Sequence, residues 1–338
     1  MSCLRFIACV FLSLCCLNAK EKYVLVTGGN GYIGLSTCRI LKEKGFTPVS
    51  VDNSSNSKMP SISWGPIEPG DILDKEWLRK IFEKYNFVGI IHLAAKIYIP
   101  ESVEDPLTYY RVNIEGSLNV IDLAKEFKVH GLVFASTCTV YETLKSDAPV
   151  KEDYELKPLS PYSQTKLYIE LLLKALPANL GISWAILRYF NVSGIDPETE
   201  NKDGNSAQLI PTLVKAFERK PVEVNVMGID YPTRDGTTIR DYVHVIDVAQ
   251  ANVKALKRVL EEKECIVVNI GTGTGYTVRE IIKAVSQYSK KEYKENCLPR
   301  RKGDAARIVA DNKLAKEILH WEPQYSALEN IVKSYYEG

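Results

Sequence analysis

Two tyrosines each stand four residues before a lysine, in the pairs Tyr141/Lys145 and Tyr162/Lys166. Side chains at this spacing face each other only on a helix. Tyr162 follows Pro161, a residue favoured at the first helical position, and a long helical pattern comes after it. The stretch after Tyr141 has no helical periodicity. We therefore expect Tyr162 and Lys166 to form the reactive pair.

This pair suits proton transfer. A phenol with its ordinary pKa of about 10 is a poor base at neutral pH, and an adjacent ammonium group lowers that pKa. Thr137, at the end of a predicted strand, would supply a hydroxyl that shares the substrate's proton. An ordinary strand-end threonine without a chemical role is the alternative reading of Thr137.

A glycine-rich turn directly follows the first predicted strand and opens a helix. Gly28 would permit the tight turn, Gly31 would let a pyrophosphate approach the backbone, and Gly34 would let helix pack on strand. The first helical residues, Tyr32 and Ile33, would offer backbone N–H groups and the positive end of the helix dipole to the phosphates. The turn therefore predicts a dinucleotide site.

Acidic residues follow this turn at distances that suit a nucleotide. Asp52 ends the second predicted strand, where a carboxylate can bind both adenosine ribose hydroxyls and would repel a 2′-phosphate, so we expect NAD and not NADP. Asn53 comes next. Asp71 and Ile72 would suit the adenine edge, although Asp71 could equally belong to a helix N-cap region.

Apolar runs of strand length alternate with helical patterns through the first half of the chain. Strands buried on both faces and separated by helices predict an α/β fold with a doubly wound parallel sheet, Rossmann-like, and a smaller α/β C-terminal lobe for substrate. The predicted organisation is a leader at 1–20, an NAD-binding domain at 21–190 with 238–265 returning to it, and a substrate lobe at 191–338.

Composition excludes several classes of function. The formal net charge is +1 with no basic block, so nothing favours binding to nucleic acid or to an anionic membrane. The eight cysteines lack the pairing of a zinc site and indicate reduced thiols. The apolar run 6–17 imitates a secretory signal but is too short for a stable membrane span, and an artefactual upstream start is the alternative. We expect a cytoplasmic enzyme without a metal, with a secreted or processed form left open.

Beyond these patterns, the chain from Tyr23 to about Trp321 resembles the UDP-glucose 4-epimerases, in the extended branch of the short-chain dehydrogenase/reductase family. The segments that carry the resemblance are Gly28–Gly34, Asp52-Asn53, Ala135–Tyr141, Ser160–Lys166, Leu187–Asn191, Asp230–Asp247 and Pro299–Asp304.

The resemblance implies reversible C4 epimerisation of a UDP-hexose through a transient 4-keto sugar, with tightly bound NAD. Lys166 would then also bind the nicotinamide ribose. Asn191, Arg240 and Arg301 would hold the diphosphate, which favours guanidinium groups. Surface salt bridges are the alternative role for each arginine. Asp241 and Asp304 could orient these arginines.

Two residues after Thr137 distinguish this chain from related enzymes. Sugar 4,6-dehydratases carry an Asp-Glu pair there, and related decarboxylases carry a glutamate at the second place, but this chain has Cys138 and Thr139. The keto intermediate should therefore only take its hydride back. Epimerases of UDP-GlcNAc or UDP-glucuronate and a nucleotide-sugar reductase remain as alternatives. A non-enzymatic NAD sensor would have no need of Tyr162, Lys166 and Thr137.

The chain departs from the family pattern at several places: Glu142 replaces a glycine, Gln208 an asparagine before Leu-x-Pro, Met227 an aromatic near uracil, and Ile97 a lysine, with Lys96 preceding it. Sugar and nucleotide identity are therefore less well defined than the reaction.

Ile308 stands where the resemblance implies contact with the sugar's C2 substituent. Isoleucine is stiff and offers no hydrogen bond to an acetamide, so UDP-glucose and UDP-galactose should be preferred. We also expect a homodimer through helices predicted at Pro106–Phe127 and Pro161–Leu176. The second of these has an apolar excess at Leu167, Ile169, Leu171, Leu172 and Leu173.

Overall fold

The computed structural model describes residues 21–56, 59–61, 63–141, 148–199, 201, 208–301 and 304–337. The predicted leader, Glu142 and Lys145 lie outside the described residues. The strands are β1 (Tyr23–Thr27), β2 (Thr47–Asp52), β3 (Ile67–Pro69), β4 (Phe87–His92), β5 (Gly131–Thr137), β6 (Ser183–Tyr189), β7 (Asn191–Ser193), β8 (Glu223–Met227), β9 (Ile239–His244), β10 (Ile266–Ile270), β11 (Gly275–Thr277), β12 (Lys294–Leu298) and β13 (Arg307–Ile308).

The helices are α1 (Tyr32–Glu43), α2 (Lys75–Lys84), α3 (Ile99–Glu104), α4 (Pro106–Tyr110), α5 (Gly116–Glu126), α6 (Pro161–Ala175), α7 (Leu209–Phe217), α8 (Val245–Glu261), α9 (Val278–Ser289), α10 (Lys313–Leu319) and α11 (Leu328–Glu337).

Seven parallel strands form the large sheet, in the order β10-β6-β5-β4-β1-β2-β3. Side chains of α1 and α8 pack on one face, for example Leu41 and Val248 with Val24. Side chains of α2 and α5 pack on the other face, for example Leu78 and Leu123. Apolar residues on both sides of each central strand make this arrangement stable, and the predicted doubly wound sheet is confirmed.

A smaller sheet and a two-stranded pair build the second region. The small sheet has the order β11-β9-β13, with β7 also pairing with β9, and β8 pairs with β12. The segment predicted at 238–265 is divided between the two sheets: β9 joins the small sheet, whereas α8 and then β10 return to the large one. The reason is that β7 starts directly after β6, leaves the large sheet and offers its edge to β9.

The predicted helix at Pro106–Phe127 is interrupted by a π-helical turn at Arg111–Glu115. The wider turn carries the buried Asn113, which accepts a hydrogen bond from the Lys96 backbone N–H at 2.8 Å and donates Nδ2 to the Lys96 carbonyl at 3.0 Å. Asn113 Nδ2 also lies 3.0 Å from Thr165 Oγ1 on α6. The interruption thus ties the loop after β4 to α6; π-helical turns within α-helices are frequent at functional sites.

The carboxyl ends of the parallel strands lie at one edge of the large sheet. Gly28 follows β1, Asp52 ends β2, Thr137 ends β5 and Phe190 follows β6. In open α/β sheets the ligand lies at this edge. None of the described helices is long and apolar enough to cross a membrane. The four described cysteines, Cys38, Cys138, Cys265 and Cys297, are free thiols.

Candidate active site

Helix α6 places the predicted reactive pair. Ser160 caps the helix by accepting a hydrogen bond from the Ser163 N–H at 3.2 Å, and Pro161 takes the first helical position. Tyr162 is partly buried, and Lys166 lies one turn later and is buried. Lys166 Nζ donates to the Ala135 carbonyl at 2.9 Å. The helical position of both residues is therefore confirmed.

Burial dominates the ionisation of both groups. It raises the pKa of Tyr162, while a hydrogen bond with Thr137 acts in the opposite direction and Cys138 raises it slightly further. Burial lowers the pKa of Lys166 to about 7. We expected Lys166 to lower the pKa of Tyr162. Burial instead governs the pKa of Tyr162, and Lys166 directs its ammonium group to the Ala135 carbonyl of β5.

Tyr141 has a structural environment. It is buried outside any helix, and its hydroxyl donates to Asn269 Oδ1 at 2.5 Å and accepts from Arg188 Nη1 at 2.9 Å. The guanidinium carbon of Arg188 also lies 4.9 Å from the centre of the Tyr141 ring. Both sides of the hydroxyl are used, so Tyr141 is bound into the core.

A chain of hydroxyl groups connects the end of β5 to the start of α6. Thr137 Oγ1 lies 3.1 Å from Thr139 Oγ1, Ser163 Oγ donates to Thr139 Oγ1 at 2.7 Å, and Ser160 Oγ lies 2.8 Å from Ser163 Oγ. These linked hydroxyl groups hold Thr137 beside the first turn of α6. The sequence analysis missed Ser163, although the serine two residues after a prolyl helix start was a readable signal.

The glycine turn is tight for reasons visible in its backbone. Gly28 has φ +70°, and a Cβ atom there would lie 2.8 Å from the Ala94 nitrogen. A Cβ on Gly34 would lie 2.1 Å from the Gly28 oxygen, so Gly34 packs on the turn itself and not on the strand as we expected. A Cβ on Gly31 would meet only the Gly28 oxygen, at 3.2 Å. Gly31 thus leaves space for a ligand.

Asp52 is held directly beside this turn. Its carboxylate accepts hydrogen bonds from the Asn30 N–H at 3.1 Å and the Ser54 N–H at 2.7 Å. Two backbone donors orient the carboxylate at the carboxyl end of β2. A carboxylate so placed fits the ribose of a dinucleotide whose pyrophosphate lies on the turn.

Asn53 and Asp71 form one polar cluster beside Asp52. Asn53 Nδ2 donates to Asp71 Oδ2 at 2.8 Å, and Asp71 Oδ1 accepts from the Leu73 N–H at 2.9 Å. The cap of α2 is Asp74, so Asp71 has no capping role. Ile72 is buried in the core against Gly116, so its side chain does not reach the edge where we placed adenine, and its carbonyl accepts a hydrogen bond from Asn119 Nδ2 at 3.0 Å.

Arg240 lies on the small sheet, opposite Ile308 of β13. Its Nη1 donates to the Ile239 and Ala305 carbonyls, each at 2.9 Å, and its Nη2 lies 3.6 Å from Asp304 Oδ1. Asp304 thus orients the arginine as expected.

Asp241 has a different role from the one predicted. It is buried and accepts hydrogen bonds from the N–H groups of Thr272 and Gly273, both at 2.9 Å, and of Ala310 at 3.1 Å. Neighbouring residues of a strand point to opposite faces, so Asp241 cannot orient Arg240.

The remaining predicted substrate residues lie at different depths. Ile308 packs against the apolar cluster that contains Cys138 and Phe190. Asn191 begins β7, and Gln208 precedes α7 and accepts a hydrogen bond from the Thr212 N–H through its carbonyl. Arg301 is exposed. Ile308 therefore lies against the cluster that includes Cys138, the residue after Thr137, whereas Arg301 lies on the surface.

His92 was missed by the sequence analysis. It is buried behind the glycine turn, with Nδ1 2.6 Å from Thr27 Oγ1 and Nε2 2.8 Å from Ser117 Oγ. Burial, aided by the charge of Lys166, lowers the pKa of His92 to about 3. It therefore remains neutral at ordinary pH and joins β1 and β4 to α5.

The geometry combines a dinucleotide turn with a tyrosine, a lysine and a threonine at the same sheet edge. The sequence profile of the NAD dependent epimerase/dehydratase family matches residues 24–271. The chain belongs to this family. As a member of it, the chain uses NAD as its cofactor.

Known proteins similar to this chain cover almost its whole length. UDP-glucose 4-epimerase from Rhizobium meliloti (strain 1021) is 39% identical over 308 residues, which are 90% of this chain and 94% of that protein. The crystal structure of UDP-glucose 4-epimerase from Brucella ovis in complex with NAD superimposes with a TM-score of 0.88 at 37% identity, covering 93% of this chain and 97% of the other. The UDP-Glc/GlcNAc 4-epimerase from Campylobacter jejuni gives a TM-score of 0.81 at 32% identity, covering 94% and 98%.

Gly31 and Gly34 should respond differently to substitution by alanine. Gly34→Ala forces backbone atoms apart and should lower the free energy of unfolding by about 1–3 kcal/mol. Gly31→Ala should leave stability nearly unchanged but reduce the NAD that copurifies, because its methyl group would occupy the ligand's space. Urea unfolding and acid extraction of NAD test both. Equal loss of stability in the two variants would contradict the assignment.

Proposed function

We propose that this chain interconverts UDP-glucose and UDP-galactose by inverting C4 of the hexose through a transient 4-keto sugar. The observation that carries the proposal is the position of Tyr162 and the buried Lys166 on successive turns of α6, whose first turn is joined to Thr137 at the end of β5 by linked hydroxyl groups. When bound, NAD supplies the chemistry of accepting the C4 hydride and returning it.

The side chains of the site handle the proton that leaves with this hydride. Tyr162 takes the proton from the C4 hydroxyl and later returns it, while Thr137 shares a hydrogen bond with the same oxygen. Tyr162 must be ionised for the first step, and the charged form of Lys166 favours the phenolate. Because burial lowers the pKa of Lys166 to about 7, its charged form is favoured below neutral pH and is lost as the pH rises above it.

The residues that follow Thr137 do not support elimination, so the keto sugar can only take its hydride back. Elimination across C5–C6 needs a further acid and base, and the two positions after Thr137 hold Cys138 and Thr139. Cys138 is buried, and burial raises the pKa of its thiol to about 12, so it supplies no base. Inversion follows if the keto sugar presents its other face before the hydride returns.

The nucleotide would lie on the small sheet. Arg240, braced by Asp304, is the best supported contact for the diphosphate, since a guanidinium group binds phosphate through paired N–H donors. Asn191, Gln208 and Arg301 remain proposed contacts from the resemblance. A Bifidobacterium longum UDP-glucose 4-epimerase was crystallised with NAD+ and UDP, at 32% identity to this chain.

The activity itself tests the proposal. Incubation with UDP-galactose without added NAD should form UDP-glucose with no net oxidation or reduction. Tyr162→Phe should keep the fold and bound NAD and lose about 100- to 10,000-fold in kcat, since positioned proton transfer is worth that much. Tyr141→Phe is the matched control and should retain most activity per folded molecule. The reverse ranking, or stoichiometric consumption of a reduced cofactor, would contradict the proposal.

Ile308 should select the sugar. It packs beside Cys138 and Phe190, and an apolar pocket rejects one extra group by only about 1–3 kcal/mol. We expect preference for UDP-glucose and UDP-galactose with weak turnover of UDP-GlcNAc. Ile308→Ser should raise the N-acetyl activity and leave hexose activity roughly unchanged. Equal kcat/KM of the wild type for UDP-GlcNAc and UDP-glucose would remove this role.

A homodimer through α4 and α6 is our proposal for the assembly. These helices pack side by side, and Leu107, Tyr168 and Leu171 are 74%, 49% and 50% exposed on them. Fewer apolar residues are exposed on α6 than we predicted, because Ile169 and Leu173 are buried against β5 and β6 of the same chain. The exposed residues still form an apolar surface of the kind that marks an interface.

Sedimentation tests the assembly. The wild type should be a dimer at micromolar concentration, and Leu171→Asp should shift it toward monomer because a buried unpaired charge opposes association. Ile229→Asp, at an exposed apolar residue of the second region, is the control and should remain dimeric. A monomeric wild type would contradict the dimer.

We place the reaction in the cytoplasm. NAD is an intracellular cofactor, and the exposed Cys265 and Cys297 are free thiols, as in a reducing compartment.

A further inference from the structure

The C-terminal helix α11 holds a loop of the second region through two neighbouring side chains. The Tyr335 hydroxyl accepts a hydrogen bond from the Gly194 N–H at 3.0 Å and lies 3.1 Å from Ser193 Oγ. Ser334 Oγ accepts from the Ile195 N–H at 2.8 Å. Three consecutive loop residues are thereby bound to the end of one helix.

The same loop is bound to the cofactor helix α1. The Tyr32 hydroxyl donates to the Gly194 carbonyl at 2.5 Å, and Arg39 Nε donates to the buried Asp196 at 3.0 Å. The Gly194 loop therefore joins the two helices.

The Gly194 loop has little freedom to move. Gly194 has φ +87°, and a Cβ atom there would lie 2.3 Å from His244 Cδ2. The loop passes close to a buried histidine and is restrained on its other sides by Tyr32 and Tyr335. A displacement at one tyrosine is therefore transmitted to the other.

We propose that Tyr335 is a positioning residue that slows the release of NAD. Through Gly194 it fixes Tyr32, the first residue of the helix whose N-terminus faces the dinucleotide, and so keeps the glycine turn closed. The inference rests on the proposed placement of NAD on Gly28–Gly34. A cofactor that only cycles within one turnover makes slow release useful.

The test compares two adjacent tyrosines of α11. Tyr335→Phe removes only the hydroxyl that holds Gly194. Tyr336→Phe is the matched control, because Tyr336 is 37% exposed and stacks on Tyr288 with ring centres 4.8 Å apart. Holoenzyme loaded with radiolabelled NAD is mixed with excess unlabelled NAD, and retained label is followed over time. Tyr335→Phe should release NAD about 3- to 10-fold faster than the wild type, the effect of one lost hydrogen bond, while Tyr336→Phe should match it.

A double variant separates positioning from loss of stability. Because Tyr32 and Tyr335 hold the same loop, Tyr32→Phe combined with Tyr335→Phe should release NAD more slowly than the product of the two single effects predicts. The proposal would be overturned if the effects of the two substitutions on NAD release were strictly independent. It would also be overturned if Tyr335→Phe released NAD at the wild-type rate, or if Tyr336→Phe accelerated release as much as Tyr335→Phe. Should Tyr335→Phe not fold, Ser334→Ala replaces it with the same expected direction. Slow release without epimerisation would refute the proposed function alone, and a wild type that never binds NAD would refute both.

Discussion

A buried ion pair between Glu170 and Arg188 is the interaction on which the geometry of the site depends. Both side chains are fully buried, and Arg188 binds the carboxylate through Nε at 3.0 Å and Nη2 at 2.6 Å. Glu170 lies one turn after Lys166 on α6, and Arg188 lies in β6. Glu170 also accepts a hydrogen bond from Ser136 at 2.5 Å, next to Thr137. Because separating such a pair would leave a buried charge uncompensated, α6 cannot slide along β5 and β6.

The ion pair is tolerable in the core because its other polar atoms are satisfied. Arg188 Nη1 donates to Tyr141 at 2.9 Å and to the Glu152 carbonyl at 2.8 Å. Tyr141 in turn donates to Asn269 of β10. A fully bonded network can be buried where a partly bonded one could not, and this one connects five segments of the chain. It also explains why Tyr141, despite its lysine at the right spacing, belongs to the scaffold.

How well a feature could be predicted from the sequence depends on how far apart in sequence its interacting residues lie. The position of the glycine turn, the Pro161 helix start and the strand ends depend mainly on nearby residues, and the structure has them as expected, although Gly34 packs on the turn and not on the strand. The role of Tyr141 depends on Arg188, which is 47 residues away, and the π-helical turn depends on Asn113 meeting Lys96 and α6. Patterns within one sequence do not show which distant residues will contact each other in the fold. The assignment of Asp241 was wrong for a simpler reason, since neighbours in a strand face opposite sides.

The alternation of side chains along β9 also gives its neighbouring residues different roles. On β9, Arg240 lies on the face where we propose that the substrate binds, whereas Asp241 lies on the opposite face and binds Thr272, Gly273 and Ala310. Ile308 lies opposite Arg240 in register, so the residues proposed for the phosphates and for the sugar are fixed to each other by strand pairing. Tyr162 and Thr137 belong to the large sheet instead. Ile308 packs against the cluster of Cys138 and Phe190, which directly follow β5 and β6, and this packing joins the small sheet to the large one where we propose that the sugar binds.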